Sequence, residues 1–225
     1  DLMAPLGKNR HDIMEDLFSG KLKFHNVFHM DAPTWGDAGI IAWLVDGAAI
    51  ISQSMMLDSS YGPYARALKR ICAEEVFHAQ HGESIILAMA EGTSEQREML
   101  QDSLNRWWES LIMFFGPKSA KETGNSNADK NIMYKIRTKT NEDLRQEFFT
   151  KYIPRIWSLG LTIPDDTIRF DEDSQMWIYK DADWSKFKQI VSGNGPQSQN
   201  RLDLRRRSYK NNEWVRAALA AKKAN

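Results

Sequence analysis

The sequence predicts an all-α protein, a bundle of long helices followed by one small β-hairpin. Three observations support this prediction. Apolar residues recur every three to four positions over most of the first 160 residues, which is the period of an amphipathic helix. Short turns containing Gly and Pro separate these segments, as in antiparallel bundles. With 225 residues, of which 42% are hydrophobic, the chain can bury a substantial core.

Caps and helix breakers give the expected boundaries. Thr34, with Asp37 three residues later, is a capping-box pattern that starts a long helix. Pro63 suits the first turn of the next helix, and Gly116-Pro117 ends the third long one. In chain order, the predicted helices cover 10–19, 34–57, 63–90, 94–115, 132–139, 142–159, 184–191 and 201–221.

Near the carboxyl terminus the pattern changes from helix to strand. Residues 167–170 and 175–179 flank an Asp-Glu-Asp-Ser turn and predict a hairpin. We therefore expect two domains, a helical bundle over 1–160 and an extension over 161–225 that contains the hairpin and further helices.

Charge and cysteine content exclude several classes of protein. The 30 basic residues are balanced by 30 acidic ones, which argues against broad binding to nucleic acid or anionic membranes. The most apolar run, Gly39–Ile51, is shorter than the roughly 20 residues that cross a bilayer and contains Asp46, so no membrane segment is expected. Cys72 is the single cysteine, which favours a reducing, cytoplasmic location.

Two predicted helices carry ionisable residues where the pattern requires apolar ones. Glu75 and His78 lie three residues apart, on one face of the second long helix. They interrupt its predicted inward seam, which comprises Tyr64, Leu68, Ile71, Glu75, His78, Gly82, Ile85 and Met89. Asp46 lies among apolar residues of the preceding helix. The number of residues between Asp46 and the connecting turn is about the same as the number between the turn and Glu75 or His78. We expect all three at one height in the bundle core.

A buried lone carboxylate is unfavourable unless it is paired, protonated or bound to a metal. A carboxylate facing Glu-x-x-His is half the ligand set of a ferritin-like di-iron site, so we expect Asp46, Glu75 and His78 to bind metal in a ferritin-like bundle. The alternative is a hydrogen-bonded Glu–His pair that fills a polar position in the core. Gly47-Ala48-Ala49 leaves room for a bulky group nearby.

A complete di-iron site also needs a second carboxylate helix and a second Glu-x-x-His motif, and the sequence contains no second motif. The first residue is Asp1 rather than Met. We therefore expect either a half-site by design or an amino-terminally truncated chain whose two missing bundle helices precede Asp1.

Several segments together resemble the catalytic A subunits of ring-1,2-phenylacetyl-CoA epoxidases. The resemblance covers nearly the whole chain except its beginning, where family members carry the first carboxylate and Glu-x-x-His helices. The segments are Trp35–Gly39, Trp43–Ile50, Ser60–Ala67, Glu74–His78, Gln101–Trp108, Phe115–Pro117, Thr140–Gln146 and Asn212–Arg216.

The resemblance implies a bacterial multicomponent monooxygenase of aerobic phenylacetate breakdown. It would insert one oxygen atom of O₂ into the ring of phenylacetyl-CoA, with NADPH electrons arriving through a separate flavin and iron–sulfur reductase subunit. A homologous structural subunit would complete the complex. Glu75 would bridge two irons, with Asp46 and His78 as terminal ligands. With half the ligands missing, this chain is expected to bind iron poorly and to be inactive.

The CoA thioester must meet positive charge, and the resemblance implies where. Arg137 and Asn141, in a segment with Lys135 and Lys139, resemble a CoA-contacting region, although a solvated helix face is the alternative. Lys23 and Phe28 resemble positions near the CoA and the aromatic ring. For Phe28 the alternative is core packing.

Two further hypotheses remain. A non-catalytic structural subunit of the same kind of complex would be expected to lose its metal ligands, yet Asp46, Glu75 and His78 are all present. An iron-storage protein would not explain the hairpin and the carboxy-terminal helices.

Overall fold

The computed structural model describes residues 7–118 and 130–224. Helices dominate and one two-stranded sheet accompanies them, which confirms the all-α class with a small hairpin. In chain order, the elements are α1 (Arg10–Phe18), α2 (Trp35–Ser54), α3 (Gly62–Ala90), α4 (Ser94–Phe114), α5 (Lys130–Met133), α6 (Asn141–Ser158), β1 (Arg169–Asp171), β2 (Met176–Ile178), α7 (Trp184–Gln189), α8 (Ser198–Asn211) and α9 (Glu213–Ala224).

By internal packing the described residues form two groups, each with its own buried apolar residues. The larger is Ala32–Trp184, and the smaller combines residues 7–31 with 185–224. The division at residue 160 that the sequence suggested stays a prediction.

Helix α2 is the central element of the larger group, because it packs against α3, α4 and α6. Its predicted cap is confirmed: the Thr34 hydroxyl accepts from the backbone N–H of Asp37, and the Asp37 carboxylate accepts from that of Thr34. Asp37 is fully buried and also accepts from Arg106 and from the Trp107 indole, at 2.7 and 3.0 Å. This carboxylate therefore ties the start of α2 to α4.

A π-helical turn, Ile41–Val45, interrupts the α-helical pattern of α2 immediately before Asp46. At this turn α3 approaches α2 very closely. A Cβ atom placed on Gly82 would lie 2.4 Å from the backbone carbonyl carbon of Ala42 and from the backbone nitrogen of Trp43. Only glycine fits at such a contact between two helix backbones.

The core of the larger group is aromatic and centres on α4 and α6. Trp108 stacks on Phe149 with ring centroids 5.8 Å apart, and Phe148 packs on Tyr152 at 4.8 Å. Arg145 is also fully buried in this core, where it pairs with Glu142 and donates to the Tyr179 hydroxyl. Because each charge of this ion pair has a partner, the pair is tolerated on the buried face of α6.

The predicted hairpin is confirmed, with Phe170 paired to Trp177 in antiparallel register. It packs on α6 because the side-chain amide of Gln146 bonds both the backbone N–H and the backbone C=O of Trp177, at 2.7 and 3.0 Å. The buried Trp177 ring contacts Trp157, at the end of the same helix.

In the smaller group, α1 and the 3₁₀ turn Asn26–His29 accompany α7, α8 and α9. Its buried apolar residues are Leu17, Phe18, Val27, Ile190 and Leu202. Phe18 packs edge-on against Tyr209, and the Arg206 guanidinium donates to the Phe18 carbonyl oxygen. These contacts tie α1 to α8.

Two helix predictions were wrong in their extent. The helix expected over 132–139 ends at Met133, because Lys135 adopts a left-handed conformation (φ 55°) and the N–H of Ile136 turns back to the Asn131 carbonyl. This is a common helix-ending geometry, here without the glycine that would have marked it in the sequence.

The helix expected over 201–221 is broken at Asn212, whose side-chain amide donates to the Ser208 carbonyl oxygen. Helix α7 also ends earlier than expected. A π-helical turn over Ile190–Asn194, closed by a left-handed Gly193 (φ 81°), follows it.

The length and apolar composition of helix α2 are relevant to the prediction that no segment crosses a membrane. By length and composition alone, its 20 residues could span a bilayer. More than half of its most apolar window is buried inside the fold. Core helices of other proteins meet the same criterion, so this feature is weak evidence for a membrane span.

The α2–α3 contact predicts the effect of a single methyl group. Replacing Gly82 by Ala forces two helix backbones apart, and we expect the free energy of unfolding to fall by about 2 kcal/mol or more. The measurement is urea unfolding followed by circular dichroism. Gly62→Ala is the matched control, since its Cβ would meet only the flexible Arg66 guanidinium, at 3.1 Å. Equal stability of the two variants would contradict the prediction.

Candidate metal centre

Asp46, Glu75 and His78 come together from two neighbouring antiparallel helices. Asp46 follows the π-helical turn of α2, and the other two lie one helical turn apart on α3. Each offers one ligand atom, and these atoms all lie within 4.8 Å of one another. Within the described part of the chain this is the one group of three such side chains that could hold a metal ion.

The imidazole of His78 faces both carboxylates through the same nitrogen. Its Nδ1 lies 3.1 Å from Oε2 of Glu75 and 4.0 Å from Oδ2 of Asp46. The Glu–His contact of the simpler alternative is thus present, but it is not an isolated pair because Asp46 lies beside it. The three groups form one polar cluster.

The cluster lies at the edge of the fold rather than in its core, so the expectation of full burial was wrong. The side chains of Asp46 and Glu75 are each 24% exposed, and that of His78 is 61% exposed. The reason is the packing of α3. The buried residues of this helix are Ala65, Leu68, Gly82, Ile86 and Met89, which leaves its middle turns open on the side of His78.

The electrostatics of the cluster are those of an acidic site without a counter-charge. Burial, and then the charge of Glu75, raise the pKa of Asp46 to about 6, although His78 opposes the shift. Among the described residues no Lys or Arg pairs with Asp46 or Glu75. A cation would therefore be favourable here.

Tyr152 of α6 closes the cluster on one side. Gly47 lies directly beneath its ring, since a Cβ atom there would be 2.1 Å from the Tyr152 hydroxyl oxygen. Trp43 holds the same ring edge-on, with centroids 5.6 Å apart. Burial, Glu83 and Asp46 together raise the pKa of Tyr152 to about 12, so its hydroxyl stays protonated. The bulky group that Gly47 leaves room for is this phenol.

The chain is similar to known proteins over most of its length. The profile of the family described as "Phenylacetic acid catabolic protein" matches residues 1–214. The chain belongs to this family.

A curated relative, the A subunit of the 1,2-phenylacetyl-CoA epoxidase of Escherichia coli (strain K12), is 39% identical over 216 residues. The match covers 96% of this chain and 69% of the relative. The resemblance expected from the motifs is therefore confirmed. For this member of the phenylacetic acid catabolic proteins, the roles of Asp46, Glu75 and His78 as ligands stay predictions.

Two of the residues expected to bind substrate lie together in the larger group. Arg137 donates to Oδ1 of Asn141 at 2.5 Å, and the Asn141 amide donates to the Pro117 carbonyl oxygen at 2.6 Å. Asn141 thus also has a structural role at the end of α4. Of the neighbouring cations, Lys139 pairs with Glu147, whereas Lys135 is exposed.

The other two lie in the smaller group. Lys23 is exposed, and Phe28 is half exposed, with its ring 5.2 Å from the Arg205 guanidinium. Core packing, the alternative for Phe28, does not describe this position. Neither the role of Tyr152 nor the π-helical turn was predicted, because neither has a recognisable pattern in a single sequence.

The raised pKa of Asp46 predicts how stability depends on pH in metal-free protein. Its folded-state pKa lies near 6, above the ordinary value of 3.8, so the folded state binds the proton more tightly and gains stability as the pH falls through this range. Asp46→Asn removes the unfavourable charge. We expect the variant to be more stable by about 1–3 kcal/mol at about pH 7, with no advantage near pH 4.

The measurement is urea unfolding in EDTA at both pH values. Asp58→Asn, the same change at an exposed position in the turn after α2, is the control and should leave the free energy of unfolding nearly unchanged. An advantage of Asp46→Asn that is independent of pH would contradict the assignment.

Proposed function

We propose that this chain is the oxygenase subunit of a multicomponent bacterial di-iron monooxygenase that epoxidises the ring of phenylacetyl-CoA. The observation that carries the proposal is the convergence of Asp46, Glu75 and His78 in a chain 39% identical, over 96% of its length, to the A component of an epoxidase. A purely structural subunit has no need of two carboxylates and an imidazole without a counter-charge, so we rank that function second.

The residues present fit iron. Carboxylate oxygens with an imidazole nitrogen suit iron and related divalent metals. Burial and the charge of Glu75 raise the pKa of Asp46, and a bound cation would offset both effects. A di-iron carboxylate site uses more ligands than these three. We therefore propose that the cluster is half of the site, and that the 225-residue chain alone binds iron weakly and is inactive.

Each residue of the cluster has a distinct proposed role. All three residues would hold the iron, with Glu75 as the shared carboxylate and Asp46 and His78 as terminal ligands. Bound iron would supply the activation of O₂ for insertion of one oxygen atom into the ring. Tyr152 keeps its proton over Gly47 and offers an O–H donor beside Asp46.

A cavity of about 420 Å³ on the same helices supports an aromatic substrate. Trp43 and Ile50 line it from α2, three residues before and four after Asp46, and Val76 lines it from α3, next to Glu75. Residues three or four positions apart share a side of a helix, so Trp43 and Ile50 lie on the same side of α2 as Asp46. Its apolar wall is suited to hold a phenyl ring close to the ligands.

The CoA part would be held by positive charge outside the cluster. We propose Arg137 with Asn141, and Lys23 with Phe28, as its contacts. Arg137 is already oriented by its hydrogen bond to Asn141, so little conformational freedom is lost when it binds a phosphate.

The proposed complex is cytoplasmic and contains a reductase that passes NADPH electrons through flavin and iron–sulfur centres, together with a homologous structural subunit. An exposed apolar stretch on α3 supports association with a partner. Phe77 is 70% exposed and Val76 is also exposed, next to the cluster. Apolar residues grouped on a surface commonly mark a protein interface.

Metal binding tests the cluster directly. We expect the chain to bind Co(II) weakly under anaerobic conditions. Glu75→Gln or His78→Ala should weaken binding about tenfold or more, because loss of a residue that only orients a metal ligand already lowers metal affinity by about this factor. The measurement is a titration followed by visible absorption. Glu74→Gln is the control, since Glu74 is exposed and pairs with Arg70. Two tightly held metal ions in the chain alone, or an equal effect of Glu74→Gln, would contradict the proposal.

Substrate binding tests Arg137. In an assembled complex that contains the complete ligand set, we expect Arg137→Met to raise the KM for phenylacetyl-CoA about tenfold with little change in kcat, since a lost charge-assisted bond affects binding of the remote CoA part. Steady-state epoxidation is the measurement. Arg169→Met, an exposed arginine of β1, serves as the control. A fall in kcat at constant KM would instead indicate a structural role for Arg137.

A further inference from the structure

The smaller group of residues contains a cavity, partly open to solvent, that the residues of the metal centre do not line. Its volume is about 190 Å³, and it lies between α1, the 3₁₀ turn and the residues around α8. Apolar side chains form much of its wall, among them Phe18, Phe24 and Leu202. Asp46, Glu75 and His78 do not line it, so a ligand of this cavity would not depend on the proposed epoxidase function.

His29 is the unusual side chain of this cavity. It is only 5% exposed, it lines the cavity, and neither of its ring nitrogens has a hydrogen-bond partner among the residues that the structure describes. Burial, and then the charge of Arg205, lowers the pKa of His29, so the ring is neutral and has one N–H donor and one acceptor nitrogen. Buried polar groups in folded proteins nearly always have partners. A ligand in the cavity would therefore supply the missing hydrogen-bond partner of His29.

The charge around His29 is positive. Arg205 lies with its guanidinium 4.9 Å from the Phe24 ring, and Arg201 lies one helical turn before it on α8. Among the described residues no carboxylate pairs with either of these arginines. Arg206, which lines the cavity, pairs with Asp203. The positive charge of Arg205 beside an N–H donor that has no partner among the described residues favours an anion.

We propose that this cavity binds a small aromatic carboxylate, a single ring bearing one anionic group. Its size fits, because a cavity of about 150 Å³ holds benzene and this one is larger by about the volume of one small substituent. The ring would lie against Phe18 and Phe24, and the carboxylate would accept a hydrogen bond from His29. Aromatic rings that meet edge-on or offset add specific stabilisation to burial of their area.

The test uses benzoate as the probe and benzyl alcohol as its neutral counterpart, each titrated into the 225-residue chain by ligand-observed NMR. We expect saturable binding of benzoate that is at least tenfold tighter than that of benzyl alcohol. His29→Phe should weaken benzoate binding at least tenfold while benzyl alcohol still binds. His11→Phe, the same change at an exposed position of α1, should leave benzoate binding unchanged.

Leu202→Trp provides a second variant that fills the cavity without touching the polar group, and it should abolish binding of both probes. Folding of each variant is checked by circular dichroism. If His29→Phe does not fold, the proposal is tested by two other measurements. These are the affinity of the unmodified chain for benzoate relative to benzyl alcohol, and the binding of both probes to Leu202→Trp. Absence of saturable binding, equal affinity for the two probes, or full benzoate binding to Leu202→Trp would each overturn the proposal.

Discussion

Helices α2 and α3 touch backbone to backbone where Gly82 meets Ala42 and Trp43, and the geometry of the metal centre follows from this contact. Asp46 lies four residues after Ala42, and His78 lies four residues before Gly82. Because the helices are antiparallel, both steps run in the same direction and advance about 6 Å, so the two side chains end at one height. The Gln53–Cys72 contact further along, at 3.9 Å, shows that the same register continues. One glycine thus fixes where a carboxylate and an imidazole meet.

Helix α2 carries two partly or fully buried carboxylates, and their surroundings give them opposite characters. Burial alone would raise the pKa of Asp37, but hydrogen bonds from Thr34, Arg106 and Trp107 outweigh it and lower that pKa. Asp46 has no such donors among the described residues, so burial, and then the charge of Glu75, raise its pKa. The first carboxylate is part of the scaffold. Asp46, in contrast, is a carboxylate that no described Lys or Arg pairs with. A carboxylate held in place in this way is suited to bind a cation.

The sequence predicted much of this arrangement but not its burial. Helical spacing put Glu75 and His78 on one face, and the short turn after α2 put Asp46 opposite them, because both inferences need only helix geometry. The predicted seam assumed an ideal helical period with Ile71 and Ile85 facing inward. In the structure the buried residues of α3 are Ala65, Leu68, Gly82, Ile86 and Met89. The π-helical turn of α2 and the close contact at Gly82 determine which face of α3 packs against α2. Tertiary packing of this kind leaves no local trace in a single sequence.

The open side of the cluster explains why its proposed chemistry belongs to an assembly. His78 and the neighbouring Phe77 are both largely exposed, so a metal ion held by these three residues alone would remain in contact with water. Reactive oxygen chemistry on a bound substrate depends on excluding water, which would otherwise intercept it and weaken each electrostatic interaction at the site. The side chains that would supply such exclusion are present on one side, in Trp43 and Tyr152. On the other side the apolar residues of α3 offer a surface for a further element to cover, and that element would complete both the ligand set and the enclosure.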